Sequence, residues 1–122
     1  MGDPIRTFRD FIAWQRGRSL TLMVYVFTNR MPKHEIFGLT SQMRRASASI
    51  PLNVAEGYGL GSRDQFLKHL RYARASCMEL DAAIDLASTI YQLTPEPGLL
   101  DLLAETDRVV QGLIRSLENK QD

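Results

Sequence analysis

Small and apolar residues in this chain recur at alternating steps of four and three, and that spacing constrains the fold more than any other feature. The first series runs Ala13, Gly17, Leu20, Val24, Phe27, Met31. The longest runs Phe66, Leu70, Ala73, Cys77, Leu80, Ile84, Ala87, Tyr91, and a third runs Leu99, Leu103, Thr106, Val110, Leu113, Leu117. A mean step of about 3.5 residues is the period of the inner seam of helices laid side by side, whereas a half-buried strand repeats every second residue. Another series opens with Leu39, Met43, Ala46 and Ile50, then meets Asn53 and Gly57 where apolar residues are expected. Its second half is the irregular part of the pattern.

Turn signals separate the series. Arg30 to Gly38 contains Pro32 and Gly38, Gly57 to Gly61 holds a cluster of glycines, and Gln92 to Gly98 holds Pro95, Pro97 and Gly98. The expected architecture is one all-α domain over residues 1–122 with helices at about 10–30, 40–57, 62–92 and 98–119. Short connections make an antiparallel up-down-up-down four-helix bundle the simplest arrangement. Ser62 with Gln65 matches a capping box, and Thr40 is a candidate cap for the second helix. Pro51 lies inside that helix, where it removes one donor and crowds the carbonyl of Ser47, so a kink is expected there. Ser49 and Asn53 are the nearby groups able to satisfy the freed backbone.

More apolar surface is present than one seam hides. The first helix adds Trp14, Leu22, Met23, Tyr25 and Val26, and the fourth adds Leu100, Leu102, Val109 and Ile114. A helix that is apolar on two sides is normally covered on two sides, which points to self-association with the five first-helix residues at the subunit interface. The longest apolar stretch, Leu20 to Phe27, is too short to span a bilayer, so no membrane partner is expected. Residues 1–10 lack the apolar run of a secretory signal, and the single cysteine, Cys77, suits a reducing compartment; a cytoplasmic location is expected.

Catalytic signatures are missing. Di-iron bundles use Glu-x-x-His pairs, but no glutamate here has a histidine three residues on. His34 falls in a loop and His69 on the polar side of the third helix, while Cys77 points into the core as a small apolar group. The stretch Gly57-Tyr58-Gly59-Leu60-Gly61 lacks the Lys and Ser or Thr of a phosphate-binding loop and reads as a helix-to-helix turn. Neither an enzyme nor a cofactor or metal is expected.

Charge is distributed unevenly. Residues 1–75 hold 12 Lys or Arg against 5 Asp or Glu, while residues 76–122 hold 3 against 9, so a net charge of +1 conceals a basic and an acidic part. Such a chain suits an anionic partner, self-association, or internal charge matching. The candidate nucleic-acid contacts are Arg16 and Arg18 on the first helix, Arg44 and Arg45 on the second, and Lys68, Arg71 and Arg74 away from the seam of the third. Arg44 or Arg45 is alternatively free to pair with Glu56 or Glu79 inside the bundle.

The stretch Leu39-Thr-Ser-Gln-Met-Arg-Arg-Ala-Ser-Ala-Ser-Ile-Pro-Leu-Asn-Val-Ala-Glu-Gly-Tyr-Gly resembles the central motif of the four-helix-bundle proteins called the 23S ribosomal RNA intervening-sequence family. Phe11 to Gln15, Pro32 to Gly38 and Ala75 to Leu80 agree with it, so the likeness covers most of residues 8–95. Members take their name from reading frames inside insertions in bacterial large-subunit ribosomal RNA genes, and many lack an assigned activity. The family is also similar to the accessory variability determinant proteins of diversity-generating retroelements, rings of five bundles that partner a reverse transcriptase and nucleic acid. That resemblance implies a homopentamer binding RNA or DNA, or a protein-binding scaffold with a partner such as a reverse transcriptase. Likeness of fold does not by itself carry function.

Overall fold

The alternating spacing becomes the buried face of four helices. The computed structural model describes residues 4–120, and among these the regular elements are all helical. They are α1 (Ile12–Thr28), α2 (Leu39–Gly59), α3 (Arg63–Tyr91) and α4 (Leu99–Glu118), with single 3-10 turns at Phe8–Asp10 and Lys33–Glu35. Leu20, Val24 and Phe27 of α1, Met43, Ile50 and Val54 of α2, Leu70, Leu80 and Ile84 of α3, and Leu99 and Val110 of α4 are sealed from solvent. Near the end of α4 the buried position moves from the expected Leu113 to Ile114. A 3.5-residue repeat falls behind a straight 3.6-residue helix over several turns, so a neighbouring position takes over.

Cross-helix contacts fix the directions. Gly17 of α1 lies beside Pro51 of α2, while Thr28 at the other end of α1 meets Arg44. Gln42 of α2 bonds Glu79 of α3, and Asn53 bonds His69. Arg71 of α3 reaches Glu118 of α4, and Arg30 after α1 reaches Glu96 before α4. Every neighbouring pair therefore runs antiparallel. Each helix packs on its chain neighbours, α4 closes on α1, and α1 and α3 occupy diagonal corners.

α2 is helical on both sides of Pro51. Proline has no N–H for the Ser47 carbonyl, and the group that meets this acceptor is the Thr21 hydroxyl of α1, at 3.0 Å. Ser49 and Asn53, expected in that role, instead bond each other and α3. Gly17 permits the close approach, since a Cβ there would come within 3.1 Å of the Pro51 ring.

Three local expectations are corrected. Gly57 is not a turn residue: α2 continues to Gly59, and Gly57 is buried where a Cβ would lie 2.7 Å from the His69 Cβ. Thr40 does not cap α2 but is buried as the second residue of its first turn; Gly38 is the N-cap, and the Glu35 carboxylate accepts from the Leu39 N–H at 3.0 Å. A carboxylate at that end meets both the free donors and the positive end of the helix dipole. His69 is not on the polar side of α3; it is half-buried against α2. Ser62 does cap α3, accepting from the Gln65 N–H at 3.2 Å.

Candidate nucleic-acid interface

Folding the chain into antiparallel helices sorts its charges along the bundle axis. One end gathers the starts of α1 and α3 with the finishes of α2 and α4. Residues 4–20, 49–77 and 109–120, which make up that end, carry 10 Lys or Arg against 4 Asp or Glu. Residues 21–48 and 78–108, which make up the opposite end, carry 5 against 8, with Glu105 and Asp107 at the border facing Arg16 and Arg74. Arg16, Arg18, Lys68, Arg71 and Arg74 lie at the basic end, and Arg44 and Arg45 at the other. The seven candidate residues therefore do not form one surface.

Their partners differ as well. The Arg44 Nε donates to the Thr28 hydroxyl at 2.8 Å, Nη2 donates to the Asn29 side-chain oxygen at 3.1 Å, and the guanidinium stacks 4.6 Å from the Tyr25 ring centroid. It clamps α1 to α2, and its partners are neither Glu56 nor Glu79. Arg16 pairs with Glu105 across α1 and α4. Arg71 pairs with Glu118 at 2.7 Å, and Arg74 lies 3.6 Å from Asp107. Arg18, Arg45 and Lys68 project into solvent.

Arg71 and Arg74 share a groove of about 530 Å³ between α3 and α4 with Arg115, lined also by Met78, Ile114 and Glu118. Sequence reasoning missed Arg115 because it lies in the acidic C-terminal part of the chain. Only the packing of α4 on α3 sets it among the other arginines.

Of the five apolar residues assigned to an interface, Leu22, Tyr25 and Val26 stand on the outer face of α1. Trp14 and Met23 are half-buried against the core, and Trp14 makes an edge contact with Phe8 at 5.3 Å.

A polar chain crosses the α2–α3 interface. Ser49 and Ser76 hydroxyls lie 2.8 Å apart, and Asn53 Nδ2 donates to the Ser49 carbonyl at 2.8 Å. Asn53 Oδ1 is therefore the acceptor for His69 Nδ1 at 2.9 Å, which places the imidazole proton on Nδ1 and turns Nε2 toward Glu56 at 3.7 Å.

A family model described as 23S rRNA-intervening sequence protein matches residues 9–115. The chain belongs to that family. No curated protein matches it. In this 23S rRNA-intervening sequence family member, the stretches that carry the likeness build the frame. Glu35 and Gly38 cap α2, since a Cβ at Gly38 would collide with the Glu35 carboxylate. Tyr91 donates to that same carboxylate and lies 3.2 Å from His34 Nε2, tying the α1–α2 connection to the end of α3. The hydrogen bond from Tyr91, followed by that from the Leu39 N–H, holds the Glu35 carboxyl below the usual glutamate range. The same contact raises the Tyr91 phenol. No described helix is long and apolar enough to cross a membrane.

Proposed function

We propose that this family member is a non-enzymatic binding protein of the cytoplasm that works as a homo-oligomer, a homopentamer by the retroelement analogy, and holds nucleic acid, RNA by preference. The observation that carries the reading is the basic end, with its 10 cationic side chains against 4 carboxylates. Within it, the groove of Arg71, Arg74 and Arg115 offers a concave row of donors suited to a phosphate backbone rather than to base edges. The Arg71–Glu118 pair is half-exposed, and pairs of that kind contribute about 0–1 kcal/mol, so phosphate can replace Glu118 as the partner of Arg71 at small cost.

Fluorescence anisotropy with a labelled single-stranded RNA tests this. Affinity should fall steadily as salt rises from about 50 to about 200 mM, and Arg71→Glu with Arg74→Glu should weaken binding and flatten the slope by about one per lost phosphate contact. Binding indifferent to both salt and the double substitution would overturn the assignment.

A second reading, a protein-binding scaffold with no direct nucleic-acid role, is favoured by Phe37. This ring is 94% exposed beside the exposed Ile36, at the end of the bundle remote from the basic groove. By the retroelement analogy, a reverse transcriptase is the kind of partner such a tip would meet. RNA that fails to bind at low salt, together with loss of partner association in Phe37→Ser, would favour this reading over the first.

A further inference from the structure

A second groove, of about 370 Å³, opens where α1 ends and α2 begins, at the other end of the bundle from Arg71 and Arg115. Two cations line it, Lys33 and Arg44, and no carboxylate does. Lys33 is exposed and makes no ion pair among the described residues. Arg44 is fixed through Nε on Thr28, Nη2 on Asn29 and its stacking on Tyr25, which leaves Nη1 without a hydrogen bond among the described residues. Thr40 stands one turn before Arg44 on the same face of α2 and is only 3% exposed. Its Oγ1 is buried with no hydrogen-bond partner. A hydroxyl in that state has given up its bonds to water and gained none in return. Glu35, the acid nearest in the chain, does not serve it, since its two oxygens accept from the Leu39 N–H and the Tyr91 hydroxyl. Met31, Pro32 and Ile36 make the rest of the wall apolar.

We propose that this groove binds a small organic anion, a carboxylate carried on a short aliphatic body. The carboxylate lies between the Lys33 ammonium and Arg44 Nη1 and accepts from the Thr40 hydroxyl, while the aliphatic part runs along Met31 and Ile36. An anion fits because every charged group in the wall is a cation and the positive end of the α2 dipole is close by. An aliphatic body fits because a bare anion would leave the apolar wall in water. The volume falls within the range of small-molecule sites, about 300–1,000 Å³, which pair such walls with a few placed polar groups. Three contacts already hold Arg44, so binding does not have to order it. The site stands apart from the basic end and does not depend on nucleic acid.

Hexanoate titrated into the isotope-labelled chain is the test. The amide signals of Lys33, Thr40 and Arg44 should shift saturably, with a Kd of about a millimolar or below for a ligand of this size, and the melting temperature should rise. Hexanamide keeps the body without the charge, and inorganic phosphate keeps a charge without the body. Each should bind at least about tenfold more weakly, and equal binding by either overturns the proposal. Thr40→Val keeps the shape and deletes the unpaired polar atom, so the free chain should be no less stable while hexanoate affinity falls about tenfold, the size of one hydrogen bond to a charged group. A variant that is destabilised but binds hexanoate as before would show a hydroxyl that serves the fold, and would also overturn it. Lys33→Gln, on the surface, should weaken binding and reduce its dependence on salt. N-acetyl-leucyl-leucine separates two sources of the same carboxylate: tighter binding than hexanoate assigns it to a peptide terminus, weaker binding to a free acid. Absence of any saturable shift with hexanoate and with the dipeptide removes the site.

Discussion

The hydroxyl of Thr21 lies 3.0 Å from the carbonyl oxygen of Ser47, the acceptor that Pro51 leaves without its helical partner. The hydroxyl is also 2.8 Å from the Gly17 carbonyl of its own helix, so one proton serves two acceptors at the closest approach of α1 and α2. A defect in one helix is thus met by a side chain of another.

Thr21→Val keeps the shape and removes the donor. It should lower stability by about 1–2 kcal/mol, as for a buried acceptor left unpaired, while Thr21→Ser should cost much less. In a Pro51→Ala background residue 51 regains its N–H, and the Thr21→Val penalty should shrink. Urea unfolding of the four combinations measures the coupling, and equal penalties in both backgrounds would refute the relationship.

Two glycines inside helices should respond to alanine in opposite directions. At Gly57 the new Cβ would stand 2.7 Å from the His69 Cβ and 3.1 Å from the Phe66 ring, neither of which can swing aside freely. Overpacking of about 1–3 kcal/mol should exceed the helix-propensity gain of about 1 kcal/mol, giving a net loss. At Gly112 the nearest neighbour is the flexible Arg115 guanidinium at 3.9 Å, so Gly112→Ala should stabilise by about 0.5–1 kcal/mol. Denaturation midpoints of the two variants decide the matter.

The Glu35–Tyr91 contact predicts stability losses at both extremes of pH. A depressed glutamate contributes stability above its unfolded value, about 4.3, and loses it as pH falls through the lower folded value. A raised phenol contributes fully below its unfolded value, about 10, and loses that contribution as pH rises toward the folded value. Tyr91→Phe should flatten both limbs together in melting temperatures measured across pH. Asp10, lowered by the Thr7 and Arg6 backbone N–H groups, should preserve part of the acid limb in that variant.

Cys77 supplies an internal probe of opening. Burial, followed by the nearby Asp107, pushes its thiol up to about 12, so almost no thiolate exists in the folded chain at pH 8. Labelling by a maleimide should be slow and should accelerate in step with unfolding as urea is added. Fast labelling of the native protein would show that the α3–α4 side opens locally.

How much of this was legible in the sequence depends on whether a feature belongs to one helix or to two. The seam from Phe66 to Ala87 was readable because periodicity is a property of a single segment, and Ser62 announced itself by residue type. Thr40 misled because a hydroxyl near a helix start fits a cap by type, while the actual cap, Glu35, acts from a 3-10 turn whose geometry leaves no periodic mark. Thr21 and Ser47 could not be matched without the register of α1 on α2. The arginines were visible as charges but not as contacts: Arg44 went to Thr28, Asn29 and the Tyr25 ring, and Arg115 joined the groove from a segment that reads as acidic.

The separation of charge between the two ends has a kinetic corollary. A particle built this way carries a dipole moment along its long axis, and the field of an extended polyanion would turn it before any side chain touches. Approach would then be end-on, and added salt would slow the encounter by weakening that torque before it altered the lifetime of the complex.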